Sequence, residues 1–350
     1  MATITKTINP AGGGDYSSLS AWNAAEATNL ITAGNTHVAE CYGGDVGAVS
    51  LSSSWYSDST NKLIIKAADG EQHSGYQDTD KAYASSSTGD LISTVNTPYI
   101  DYLELVGLQF WWTATITYTS GVKQFDGGLV IVDKCLFKGL GGDVSNSVGI
   151  LSGNNSSGIL FVTNSVFYDF SSTSSSFTAG VRTQATADAL FYNCTFVDCR
   201  YSIRADQGTP RAVNNIMQSA PTYGTFDSSS GYNLTNAASA PGSNNIVSTT
   251  LTFVDAANDN FALAATDIAA IGTGIDLSSD GTWPFYDDIL GVTRPTSAWD
   301  IGAFEYVASS GSSNFKVYAS GSWISGILNV YSSDAWVSGV LKYYNGSSWV

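Results

Sequence analysis

The sequence predicts an all-β chain wound as a parallel β-helix, and three observations carry that prediction. Charged residues make up only 13% of the 350 residues, while Gly, Ser, Thr and Asn abound. That balance suits many short strands and tight turns more than long surface helices. Five segments between Tyr102 and Met217 can be laid on one another: LELVGLQF, VIVDKCLF, LFVTNSVF, LFYNCTF and AVNNIM. Their last residues, Phe110, Phe137, Phe167, Phe196 and Met217, are 27, 30, 29 and 21 residues apart, the irregular period of a solenoid and too short for a propeller blade of about 40 residues.

Residues 1–40 read as a first strand and a lid. The strand runs from Thr3 to Ile8 and is closed by Gly12, Gly13, Gly14 and Asp15. Ser18 then opens a helix in which Leu19, Trp22, Ala25 and Glu26 follow a near-helical spacing. A stack of strands with open ends invites edge pairing, so a capping helix has a physical reason to exist; a surface helix with one buried Trp is the alternative.

Residues 41–307 read as the solenoid. A strand sends alternate side chains inward, so equivalent positions of successive coils stack about 4.8 Å apart and the Phe residues form an internal ladder. Three positions earlier stand Gly107, Lys134, Asn164, Asn193 and Asn214. Gly and Asn suit a tight bend in the left-handed region; Lys134 departs from that pattern. Cys135 and Cys194 share a column, but two coils place them about 9.6 Å apart, too far for a disulfide. With Cys41 and Cys199 they read as small buried hydrophobes.

A second organised block follows: Phe253 to Leu263, Ala269 to Gly274, Asp288 to Pro295 and Asp300 to Tyr306. These residues resemble the closing section of pectin-lyase-like proteins, in which a phrase like FxDxxxxDFxL leads to DxxGxxRP and then DIGAFEY. The opening GGDYSSLSAW looks similar to the start of such proteins. The resemblance implies a right-handed parallel β-helix that runs on to about Tyr306. Arg294 paired with Asp300 or Glu305 is then expected to pin the last turns shut.

Residues 308–314 are a flexible linker by composition. Residues 315–350 hold three copies of a 13-residue unit, with Tyr318, Tyr331 and Tyr344 in one column and Trp323, Trp336 and Trp349 in another. Each copy reads as a β-hairpin. Three short hairpins bury little, so these six aromatics are candidates for docking or oligomerisation, with a homotrimer one such assembly; a self-contained aromatic core is the alternative. The module resembles the terminal repeats of bacteriophage tail and fibre proteins.

The chemistry is harder to read. Thirty acidic against 14 basic residues give a net charge of −16, which repels phosphate backbones and argues against nucleic acid as a partner. No apolar run of about 18 residues predicts membrane insertion, and no basic-then-apolar leader stands at Met1. Cysteine and histidine spacing predicts no zinc site, and no cofactor is implied. A polysaccharide lyase or glycoside hydrolase needs placed carboxylates or a Lys/Arg base, and the best cluster is Asp188, Asp198, Arg200, Arg204, Asp206 and Arg211. Asp198 and Arg200 are expected on one side of a strand. An ion-pair network across coils is the simpler reading. Trp111, Trp112, Tyr168 and Tyr192 are candidate glycan-stacking residues. Together these features predict a non-catalytic virion protein, a fibre, spike or capsid decoration that contacts other virion proteins and host-surface glycans. The alternative is an extracellular or cell-surface carbohydrate-active β-helix.

Overall fold

Each coil of the chain passes through three parallel sheets in turn. The computed structural model describes residues 2–308 apart from 95–98, 116, 125–126, 143–145, 154–157, 174–176 and 185–187, and four strands between 315 and 338. The first sheet holds Ala2–Ile8, Asn35–Cys41, Leu63–Ala67, Tyr102–Val106, Gly128–Asp133, Gly158–Thr163, Ala189–Tyr192 and Arg211–Val213. The second runs from Gly44–Asp45 through Gln109–Trp112, Leu136–Lys138, Val166–Tyr168, Thr195–Val197 and Ile216–Gln218 to Leu234–Thr235. The third, of six strands, runs from Val49–Ser50 to Ile203–Ala205.

The aligned segments stack in the register their sequences predict. Phe110, Phe137, Phe167, Phe196 and Met217 are ladder partners. The four rings lie parallel, with centroids 4.7, 4.7 and 5.0 Å apart. Room for them comes from a glycine column on the third sheet: a Cβ on Gly121, Gly149 or Gly180 would meet a Phe ring at 2.8–2.9 Å. The corner residues Gly107, Lys134, Asn164, Asn193 and Asn214 all have positive φ, between 47° and 70°. Lys134 adopts the bend without being Gly or Asn. All four cysteines are free and buried; the Cys135 and Cys194 amides donate to Ser165 Oγ and Asn215 Oδ1 on the next coil.

The helix Leu19–Glu26 closes the first coil. Ser18 Oγ accepts from the Ala21 amide at its N-terminus, and Leu19 and Trp22 are fully buried. Trp22 packs on Trp55 at 5.2 Å between centroids and on His37 at 6.4 Å. A four-residue helix, Leu30–Ala33, follows, capped by Asn29 and ended by left-handed Gly34; no periodicity marks it in the sequence.

The closing section departs from expectation. Ladder pairing ends with the bridges Leu234–Ile246 and Gly231–Ser243, and the β-helix does not continue to Tyr306. Residues 252–306 instead form a strap over the outside of the solenoid. Leu251, Phe253, Phe261, Leu263, Ile289, Ile301 and Phe304 cover Leu136, Val166, Tyr168, Val197, Ile216 and Leu234 on the outer face of the second sheet. Leu277, Phe285 and Trp299 cover Ile131, Phe161, Leu190 and Tyr192 on the outer face of the first. The strap reaches back to the third coil, where Gln72 Nε2 donates to the Ile289 carbonyl at 2.6 Å.

Arg294 fastens the strap. Its guanidinium is fully buried and makes six hydrogen bonds, to Glu305 Oε2, to Asn164 Oδ1 and to the carbonyls of Asp287, Asp300, Gly302 and Ala303. The ion pair is therefore with Glu305, while Asp300 contributes its backbone oxygen. Asn164 ties the clasp to the solenoid corner, and Asn193 Nδ2 adds bonds to the carbonyls of Asp300 and Gly302.

Residues 307–350 form a second compact unit. Within it Phe315–Ala319 pairs antiparallel with Ser322–Gly326, and Asn329–Ser332 with Ala335–Ser338. Tyr318 stands opposite Trp323 and Tyr331 opposite Trp336. Tyr344 and Trp349 lie outside the described residues.

Candidate functional site

The four aromatics proposed as a sugar platform are buried, with Trp111 and Trp112 at 7% and 3% exposure and Tyr168 and Tyr192 at 0%. Trp111 is stacked on Tyr83 at 4.0 Å. Trp112 meets the Phe170 ring edge-on and donates its indole N–H to the Gly89 carbonyl. Tyr168 lies under Phe261, and Tyr192 under Phe285 with its hydroxyl accepting from Arg211 at 2.6 Å. Stacking on a sugar needs an open ring face, so none of the four is a platform.

The six-residue ionic cluster separates onto three parts of the surface. On the third sheet, Arg182 and Arg204 are ladder partners sharing Asp206, at 2.6 and 2.7 Å. Asp198 and Arg200 sit at the turn from the second sheet to the third. The strand before them ends at Val197 and Asp198 has a φ of 48°, so the expectation that both lie on one side of a strand does not hold. Arg200 donates to the Thr173 carbonyl. Arg211 lies on the first sheet, paired with Asp280 of the strap at 2.8 Å, with Asp188 nearby.

Two concavities gather these groups with residues the sequence did not single out. At the second turn a groove of about 470 Å³ is lined by Asp169, Ser171, Thr173, Asp198, Arg200 and Ser219, among others. Asp169 and Asp198 occupy successive coils there. Burial raises the Asp169 pKa, aided by the charges of Asp259 and Asp198 and opposed by Lys138. The arrangement places a carboxyl of raised pKa beside a second acidic side chain on the next coil.

The other concavity is a cleft of about 330 Å³ on the outer face of the first sheet, beside the strap. Ile159, Phe161 and Leu190 form its apolar floor, Asp188 and Arg211 extend it, and Asp227, Ser229 and Thr282 are among its polar lining. Phe161 and Leu190 are ladder partners, as are Leu190 and Arg211, so one row of outward side chains makes the floor. Asp227 accepts from the amide and hydroxyl of Ser229, which hold its pKa down. Burial pushes Asp280 up, but bonds from the Trp283 and Thr282 amides and from Arg211 outweigh it and leave it a carboxylate. Arg211 Nε is shielded from water and has no partner among the described residues.

Among the described residues no group of three or more His, Cys, Asp and Glu side chains is placed to hold a metal ion. Comparison of the chain with models of known families, with curated proteins and with solved structures finds no match.

Proposed function

We propose that this chain is a non-catalytic bacteriophage virion protein, a fibre, spike or capsid decoration, that serves in attachment. The solenoid is its stiff body and the terminal repeats are its docking or assembly module, which joins it to other virion proteins, with a homotrimer as the expected assembly. The observation that carries this reading is the cross-strand Tyr–Trp pair repeated at the same register in successive hairpins. Isolated two-stranded hairpins are marginal in water, and a repeated aromatic pair gives them surface to bury against copies or a partner. The kinship with pectin-lyase-like helices and with phage terminal repeats belongs to the same proposal. Peptide mass spectrometry of purified particles tests it: enrichment over the soluble lysate supports it, and presence in the medium with absence from particles overturns it.

The groove at Asp169 and Asp198 favours a second reading, a secreted or cell-surface polysaccharide lyase or glycoside hydrolase. A general acid needs a raised pKa next to a second carboxylate, and Asp169 has both. Depolymerisation of a polysaccharide that is abolished in Asp169→Asn and Asp198→Ala would establish it; depolymerisation that survives both substitutions would exclude this groove.

A further inference from the structure

The capping helix Leu19–Glu26 closes over a histidine. His37, on the strand Asn35–Cys41, is 2% exposed, and its ring packs on Trp22 and Trp55 at 6.4 and 5.4 Å between centroids. Ile4 and Leu63 are its ladder partners. Its Nε2 lies 3.5 Å from Glu26 Oε2, at the end of the helix. A carboxylate there fixes the proton of the neutral ring on Nε2 and leaves Nδ1 as a bare acceptor. Nδ1 is shielded from water and has no partner among the described residues; the same is true of the Trp22 indole N–H.

Three titratable groups surround this contact. Glu26 comes from the helix, Lys6 from the first strand, 3.3 Å from Glu26 Oε1, and Tyr16 from the loop between them, its hydroxyl donating to Glu26. Burial pushes Glu26 up, but the bonds from Tyr16 and Lys6 outweigh it and keep it a carboxylate. The bond to Glu26 pushes Tyr16 up to about 12, so it stays a donor. Burial lowers the His37 pKa from 6.5; Glu26 opposes the shift and Lys6 adds to it. A second proton has only Nδ1 to occupy, where the closed helix offers it neither acceptor nor water. Opening the helix gives water to Nδ1 and to the Trp22 N–H together. The helix is also the element free to move, since eight residues do not stay helical by themselves and terminal elements open at least cost. We propose that His37 is a proton-operated latch on the capping helix: neutral, it lets the helix lie closed; protonated, it opens the helix while the coils behind it stay wound, uncovering Trp22 and Trp55 at the N-terminal end of the core. The latch stands independently of the attachment reading.

The neutral ring's share in holding the helix closed is complete above pH 6.5 and is lost as pH falls toward the lowered value. Native-state hydrogen exchange on the full chain between about pH 7.5 and 5 tests this, with circular dichroism to follow the solenoid. The amides of Leu19 and Trp22, which donate to the Val46 and Ser18 carbonyls, are expected to lose about tenfold in protection per pH unit below 6.5, the uptake of one proton, and to level off once the lowered pKa is passed. Amides within Gly158–Thr163 are expected to stay the better protected throughout. His37→Gln is expected to flatten the slope at Leu19 and Trp22, and His73→Gln, at the other histidine, to leave it. Glu26→Gln removes the group that favours the charged ring, so the fall is expected to begin at lower pH; this variant decides if His37→Gln fails to fold. A flat profile at Leu19 and Trp22 in the parent overturns the latch, as does a slope that survives His37→Gln. So does a Glu26→Gln chain already open at neutral pH, which makes Glu26 the trigger, or equal loss of protection in helix and strands.

Discussion

Replacing Arg294 should release the strap while leaving the solenoid wound. The guanidinium is fully buried and anchors six acceptors. Glu305, its ionic partner, is only 10% exposed and burial already raises its pKa. Removing one member of a buried pair typically costs about 3–5 kcal/mol, because the other charge is left uncompensated. In Arg294→Met the Asp287 carbonyl and Asn164 Oδ1 lose their donor as well, and the carbonyls of Asp300, Gly302 and Ala303 lose one of two. Arg294→Lys keeps the charge but cannot fork to both sides of the clasp, so it should recover only part of the loss. Native-state hydrogen exchange is the assay. The amides of Ile289, Ile301 and Gly302, which bond to the Ala303, Ala270 and Asn214 carbonyls, should lose about two to four orders of magnitude of protection. Amides within Gly158–Thr163 should not change. Adding Glu305→Gln to Arg294→Met should restore part of the stability, a coupling a double-mutant cycle reads directly. Unchanged strap protection, or equal loss in strap and solenoid, would refute the assignment of Arg294 as the clasp of a separable layer.

Three further outcomes follow from the same packing. Phe167→Ala, in the middle of the stacked rings, should cost about 3–5 kcal/mol in urea unfolding; Gly149→Ala should cost about 1–3 kcal/mol, because its Cβ meets the Phe167 ring and the Gly180 carbonyl. At Asn193, with φ of 50°, Asn193→Gly loses the ties to the strap and the bond from Asn214 Nδ2 but keeps the bend, so Asn193→Leu should be worse by about 1–2 kcal/mol. Buried His73 and half-buried Asp133 should give opposite pH dependence. Burial holds the His73 pKa down at about 4, against 6.5 unperturbed; its stabilising share is complete above 6.5 and is lost as pH falls through 4, about 3 kcal/mol in all. Burial pushes Asp133 up to about 6 from 3.8, so its share is present below 3.8 and is lost as pH rises through 6, a smaller effect for a partly accessible residue. Acid loss should therefore be shallower in His73→Gln and steeper in Asp133→Asn than in the parent; parallel curves would contradict both assignments.

The solenoid was legible because its repeat leaves two marks on each coil. A large apolar residue points inward and a residue able to adopt positive φ stands three positions earlier, so Phe167 with Asn164 and Phe196 with Asn193 suffice to align coils. The strap was not, because Phe253, Phe261, Ile289 and Phe304 carry no period that tells a further coil from an outer layer. A signal was present elsewhere. Val130-Ile131-Val132 and Leu160-Phe161-Val162 are unbroken apolar runs, which mark strands covered on both faces; the outer face of the first sheet thus called for a cover. The site was least legible. Residue type proposed Trp111 and Trp112 as platforms, but their exposure is set by Tyr83 and Phe170, remote in sequence. Asp188 and Arg211 were picked out for one ionic cluster, and the fold brings them instead to a cleft with Phe161, Asp227 and Thr282, at spacings no local pattern encodes.

Electron microscopy of particles labelled with an antibody fragment raised against residues 41–306 tests the attachment account most directly. The account predicts label standing off the particle surface in the parent and label lost from particles carrying Trp323→Ala with Trp336→Ala, although the variant chain remains folded in the lysate. Unlabelled parent particles, or label retained in full by the double variant, would contradict it.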